Sequence, residues 1–231
     1  MEEAPLMGVN PNPRRFAPWV LGSTANGHDP GQPFPFAAIL EGEVVAVSVL
    51  FADLRGFTAV AEQIAPRRMA AFLNDFLTVM FDVVLARQGM IQDFVGDGIL
   101  AVFGAPSRDP DHAWHAAVSA VEMQVALQYL EGRSRADRQI KPSMGVSVHS
   151  GEVFAGIVGS PRRQKYAAVG DTVNVASRLE ELNRDLGTSI VMTGQTTALL
   201  RDRVEVCSRG WFPVRGRSRP IEVFELLGLR D

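Results

Sequence analysis

The stretch EVVAVSVLFADLRGFT, residues 43 to 58, constrains the fold more than any other part of the chain. It is a continuous β-branched and apolar run, the pattern of a strand buried on both faces, and it ends in a turn at Gly56. A two-faced strand cannot sit at the margin of a fold, so the rest of the chain has to be arranged around it.

The segments that follow supply the surroundings. Pro66 suits a first helical position. After it Met69, Phe72, Leu73, Phe76, Met80, Val83 and Val84 recur at helical spacing up to a stop at Gly89. QDFVGDGILAVFG, residues 92 to 104, reads as a tight hairpin that lifts Asp97 between two glycines. A helix from about Pro110 to Leu130 is expected next, capped by Asp109 or Asp111. SMGVSVHSGEVFAGIVG predicts a strand pair, and a helix then runs from near Asp171 to Gly187. SIVMT reads as a strand, GQTTALL as a short helix, and the C-terminal residues as a β ribbon. The order βαββαβ plus a C-terminal β extension predicts an α+β fold with a ferredoxin-like core, its helices on one face of a largely antiparallel sheet. Residues 1–42, rich in Pro and Gly, read as a lead-in or linker, and residues 43–231 as the domain.

Composition narrows the class. A net charge of −3 provides no overall basic field, which argues against a nucleic-acid partner. The single cysteine, Cys207, forbids an intramolecular disulfide and fits a reducing, cytoplasmic setting. The longest apolar run is about half of what a helix needs to cross a bilayer, so the chain is expected to be soluble, without a membrane span.

Two sets of residues stand out chemically. Asp53 closes the buried strand, where a carboxylate is costly unless something pairs with it. Taken singly, Asp53 and Asp97 are ordinary turn or cap acids. In this element order, however, the end of the first strand and the hairpin tip are adjacent, and two carboxylates meeting there repel unless a divalent cation joins them. Oxygen donors suit Mg²⁺ or Mn²⁺, and two such ions can activate an attacking oxygen and stabilise a leaving one. The backbone N–H groups of Gly56, Phe57 and Thr58 open a helical region suited to phosphate. Separately, Asn174 and Arg178 are four apart and share one helix face beside a stripe of Val175, Leu179, Leu182 and Leu186. Read alone they are either a solvated polar face or a pair that neutralises a phosphorane-like transition state and orients an attacking sugar.

VLFADLRGFT, DFVGDGILAVFG and VGDTVNVASRLEEL resemble, in order, three signature blocks of the class III nucleotidyl cyclase catalytic domains, and SVHSGEVFAGIVG and VRGRSRPIEVFELL resemble further parts of that family. The resemblance runs from about Val44 to Leu227. It implies a nucleoside triphosphate substrate and a homodimer whose two active sites lie at the shared interface. Asp53 and Asp97, with the Leu54 backbone, would hold the metals, and the partner chain would supply Asn174 and Arg178. Arg217, or failing that Arg215, would take the place of the family's triphosphate-binding lysine.

One departure bears on the substrate. Adenylyl members usually carry lysine four residues before the second metal aspartate, where this chain has Asp93. Guanylyl members have glutamate there. A carboxylate can accept from guanine N1–H and the N2 amino group together but cannot donate to adenine N1. Ala167, the second base-selecting position, cannot hydrogen-bond through its side chain. Both departures point away from ATP and the first toward GTP; uracil, with one ring N–H, leaves a pyrimidine cyclase open. A diguanylate cyclase is disfavoured by the absence of a GGDEF signature. A degenerate, non-catalytic dimerisation module is opposed by the presence of Asp53, Asp97, Asn174 and Arg178 in one chain. His149 reads as a structural strand residue. Residues 160–166, SPRRQKY, read as a basic arm that is either solvated or in reach of phosphates or a partner.

Overall fold

The computed structural model describes residues 42–57, 64–133, 143–160 and 162–230. Apart from Gly42, the lead-in lies outside them, as does Thr58. The elements in chain order are β1 (Glu43–Arg55), α1 (Pro66–Ala86), β2 (Met90–Val95), β3 (Gly98–Phe103), α2 (His112–Arg133), β4 (Ser143–Ser160), β5 (Arg163–Val169), α3 (Asp171–Leu186), β6 (Ile190–Thr193), α4 (Gly194–Leu200), β7 (Val204–Phe212) and β8 (Ile221–Leu229).

Eight strands form one sheet in the order β2-β3-β1-β4-β6-β8-β7, with β5 added to β4. Among the described residues only β4 and β6 run parallel, and the other pairings are antiparallel. β1 is central as its two-faced pattern requires, and Val47, Val49, Leu50 and Ala52 are fully buried. Leu50, Ala52 and Leu54 join a core shared with Phe72, Phe76 and Met80 of α1 and Ala116, Ala120 and Met123 of α2. Val45, Val47 and Val49, on the alternate face, pack with Val153, Ala155, Ala168 and Ala176. α1 is also long and apolar enough by composition to cross a membrane, and one stripe of it, Met69, Phe72, Phe76, Met80 and Val84, is buried in the core with β1.

Three expectations are corrected. The helices do not share one face: α1 and α2 cover one side, while Ala176, Val175 and Leu179 of α3 pack on the other. The predicted strand pair over residues 143–159 is one strand of 18 residues. Its central Gly151 makes no turn; it stays in register with Val47, and the missing side chain admits α3, since a Cβ there would stand 2.7 Å from Thr172 Oγ1. The basic arm is largely a strand, β5, because its backbone completes the far half of β4, with Lys165 opposite Val158 and Ala167 opposite Gly156.

Candidate active site

The two acids meet where β1 outruns its hairpin neighbour. Pairing of β1 with β3 ends at Ala52–Ile99, whereas pairing with β4 continues to Arg55. The segment carrying Asp53 and Leu54 therefore has one backbone edge open beside the β2–β3 turn. Val95 pairs with Gly98 across that turn, and Gly96 adopts a positive φ of 67°, which leaves Asp97 at the tip. Burial pushes the Asp53 carboxyl above its ordinary value, Asp97 pushes it further, and Arg184 opposes the rise. Burial likewise raises Asp97. Among the described residues no cluster of three or more His, Cys, Asp or Glu side chains converges on a metal position. Two mutually repelling carboxylates fit a hard divalent cation that leaves coordination positions for substrate oxygens. Just beyond Asp53, Gly56 turns the chain at a φ of 69° and the backbone at Phe57 is helical.

Sequence reasoning missed two charged neighbours of this half-site. Glu180 of α3 is buried, and its carboxyl is raised first by burial and then by Asp53. It is admitted by Gly145, where a Cβ would lie 2.5 Å from Glu180 Oε1. Arg184 is the cation that opposes the shift of Asp53. Neither is visible in spacing alone, because both become relevant only when the C-terminal half of α3 lies over the end of β1.

Asn174 and Arg178 occupy the other half of the same helix. Arg178 Nη1 donates to the Arg215 carbonyl, and Gly216, at a φ of 80°, would bring a Cβ to 3.3 Å from that nitrogen. Arg217 Nε lies 2.9 Å from Asp171 Oδ2. Arg215 and Arg217 thus lie against Arg178 and Asp171 on the first half of α3, while Glu180 and Arg184 of its second half face Asp53.

Asp93 and Ala167, the positions expected to select the base, lie on β2 and β5. β2 carries a bulge between Ile91 and Asp93. Gln92, the extra residue, accepts the Ala168 N–H at 2.7 Å and ties β2 to β5. Beside it Asp93 accepts from Lys165 Nζ at 2.6 Å, with both side chains about half exposed. Ala167 is buried. Lys165 is a third functional candidate that sequence reasoning missed; the signal was the basic run it belongs to. His149 is buried as expected and bonds Thr193 Oγ1 at 2.8 Å.

Comparison with known proteins is consistent with this arrangement. The family profile of the adenylate and guanylate cyclase catalytic domain matches residues 41–228. Adenylate cyclase 1 of Rhizobium meliloti (strain 1021) is 34% identical over 183 residues, which cover 79% of this chain and 28% of that protein. The adenylate cyclase of Anabaena cylindrica is 36% identical over 151 residues, covering 64% of this chain and 29% of its own length. The chain therefore spans less than a third of the length of either relative. Among solved structures, the adenylyl cyclase CyaB from P. aeruginosa superposes with a TM-score of 0.77 at 29% identity, covering 83% of this chain and 98% of that one. The guanylyl cyclase Cya2 also gives 0.77, at 33% identity, with coverages of 82% and 95%. A family profile that matches residues 41–228, most of the chain, shows that this chain belongs to the adenylate and guanylate cyclase catalytic domain family.

Proposed function

We propose that the chain is a nucleotidyl cyclase that converts a nucleoside triphosphate, GTP in preference to ATP, into its 3′,5′-cyclic nucleotide and pyrophosphate. The observation that carries the reading is the meeting of two carboxylates, Asp53 and Asp97, both raised by burial, at the open end of β1 beside the β2–β3 turn. A homodimer with two composite sites, in which the partner chain supplies Asn174 and Arg178, belongs to the same reading. Large apolar side chains exposed on the strands around Asp93 support a docking face there: Phe94 and Val95 on β2, Phe154 and Val158 on β4, and Val169 on β5.

Asp53 and Asp97, with the Leu54 carbonyl, would hold two Mg²⁺ or Mn²⁺ ions. When bound, these ions polarise the 3′-hydroxyl and neutralise charge on the triphosphate. The backbone amides of Gly56 and Phe57 would receive the phosphates. Arg217, released from Asp171 by the stronger negative charge of a triphosphate, binds its outer end. Arg178 stabilises charge developing around the α-phosphate as the 3′-oxygen attacks and pyrophosphate departs, and Asn174 orients the ribose. Asp93 accepts from the guanine edge, and Ala167 leaves that edge without a competing side-chain contact. A cytoplasmic location fits the supply of such a substrate.

The second reading is an adenylyl cyclase, supported by the names of the Rhizobium and Anabaena relatives. Purified protein with Mn²⁺ and each of the four nucleoside triphosphates, with identification of the cyclic product, decides between them. GTP is expected to give the highest kcat/KM. A preference for ATP transfers the assignment to the second reading, and no cyclic product from any nucleotide removes the enzymatic one.

A further inference from the structure

Six buried side chains form one continuous hydrogen-bonded chain. It runs from His112 Nδ1 to Ser48 Oγ at 2.9 Å, then to Ser150 Oγ at 2.6 Å and Thr196 Oγ1 at 3.1 Å. From Thr196 it reaches Thr193 Oγ1 at 3.2 Å and ends on His149 Nδ1 at 2.8 Å. Ser150 and His149 are consecutive on β4 and so point to opposite faces of the sheet. The chain joins those faces round the end of β6, where its pairing with β4 stops at Val148–Met192.

One carbonyl sets the direction of every bond in it. Thr196 Oγ1 lies 3.3 Å from the Val148 carbonyl, which can only accept, so the single Thr196 hydroxyl proton points there. Thr196 Oγ1 therefore accepts from both Ser150 and Thr193. Ser150, having donated, accepts from Ser48, and Ser48 in turn accepts from His112. Thr193, having donated, accepts from His149. Both imidazoles are thereby fixed with a proton on Nδ1.

The His149 ring lies between two fastenings of α3. Ser147, His149 and Gly151 alternate onto one face of β4. Ser147 Oγ donates to the Ala176 carbonyl at 2.7 Å. A Cβ on Gly151 would stand 2.7 Å from Thr172 Oγ1, which itself donates to the Glu152 carbonyl. The turn from Thr172 to Ala176, which carries Asn174, therefore crosses β4 over His149. Arg217 and Asp171, at the same end of α3, are the charges that act on the imidazole besides burial.

We infer that His149 is a positioning residue for Asn174: its Nδ1–H, tied through Thr193 into the buried chain, fixes the ring on which the first turn of α3 is seated. This rests on the nucleotidyl cyclase reading, in which Asn174 orients the ribose. A ring held by one directed bond cannot rotate, so the turn above it has one resting position. Without the donor the ring is free to turn, and Asn174 shifts with it.

The test compares wild type, His149→Phe, His149→Gln, Asn174→Ala and the double variant H149F/N174A, each by kcat and KM with Mn²⁺ and GTP or ATP. Phenylalanine keeps the ring and loses the donor; glutamine keeps most of the volume and supplies a donor to Thr193. His149→Phe should lower kcat by at least about 10-fold, with KM much less affected. His149→Gln should stay within about 3-fold of wild type. In the Asn174→Ala background the Phe substitution should cost less than about 3-fold, because the group it positions is gone. A wild-type kcat in His149→Phe, or a loss of equal size in both backgrounds, overturns the inference.

Amide hydrogen exchange reads the same claim without catalysis. In His149→Phe the Val175 and Ala176 amides should exchange at least about 10-fold faster relative to Leu179 than in wild type. Equal acceleration of all three is a general loss of stability and counts against the inference. Two-bond ¹H–¹⁵N spectra of wild type should show the His149 proton on Nδ1, and a proton on Nε2 overturns the inference. Thr193→Val, which removes the acceptor instead, carries the same expectations as His149→Phe should that variant fail to fold. If wild type forms no cyclic product, the cyclase reading fails, and the exchange at Val175 and Ala176 alone decides whether His149 seats the turn.

Discussion

Gly98 lies so close to Asp53 that a Cβ on it would stand 2.9 Å from Asp53 Oδ1. The same atom would be 3.1 Å from the Ala52 carbonyl and 3.2 Å from that of Val95, so backbone closes it in on two further sides. The second glycine of the hairpin is thus the floor on which the Asp53 carboxylate rests, and its φ is not what demands it.

Gly98→Ala consequently has no free direction in which to relax. We expect a loss of about 1–3 kcal/mol of stability from overpacking. We also expect a fall in kcat of at least about 10-fold, because a carboxylate displaced by a fraction of an ångström no longer meets its ligand in line. Gly96→Ala makes the comparison, since a Cβ there meets nothing within 4 Å and only the positive φ of 67° is strained. Thermal melts and steady-state rates on the two variants check this. Equal losses of activity in both would remove the special role of Gly98.

The proposed homodimer with composite sites predicts complementation. Asp53→Ala and Arg178→Ala should each lower activity by at least about 100-fold when assayed alone. Mixed in equal amounts and allowed to exchange, half of the dimers are mixed and each of those has one intact site. About a quarter of wild-type activity should then return. Activity that stays at the level of the single variants at every mixing ratio would place both sets in one chain.

His149 gives stability a definite pH dependence. Burial holds its imidazole neutral and pushes its pKa from 6.5 down to about 4, with Arg217 adding to the effect and Asp171 opposing it. Between those values the unfolded chain binds a proton that the folded chain does not, so stability falls as pH drops through the window. The loss reaches about 3 kcal/mol at its lower end. His112, also lowered by burial, acts with the same sign. Asp53, Asp97 and Glu180, whose values are raised, act with the opposite sign and gain stability on acidification. His149→Gln keeps a polar group toward Thr193 and removes only the first contribution. Urea unfolding from pH 7 to pH 4 should show the difference in stability between wild type and variant shifting by about 3 kcal/mol in favour of the variant. A difference that does not change with pH would show that the imidazole is not excluded from protonation.

Much of the fold was legible because the sequence states it locally. The β-branched run of β1, the helical spacing of Met69, Phe72, Phe76, Met80 and Val84, the two-residue turn around Asp97 and the stop at Gly187 all appear where the pattern puts them. Gly151 misled, because a glycine that makes a turn and one that admits a helix look alike until the helix is in place. β5 was hidden for a related reason. Its Arg, Gln and Lys side chains read as a solvated arm, while its backbone is held by the far half of a strand longer than any turn signal suggested.

The amino-acid sequence by itself determined the kinds of groups this protein carries: two acids at adjacent strand ends, an Asn–Arg pair on one helix face, and an acid where a lysine is usual. Each depends on residues near in the chain or on a recurring period. Only the tertiary structure decided how these groups are partnered. It set Arg217 against Asp171, Glu180 and Arg184 behind Asp53, and Lys165 against Asp93, residues 72 positions apart. Charge pairing depends on distance in space, and that distance follows from sheet order and strand register, which no short stretch of sequence encodes.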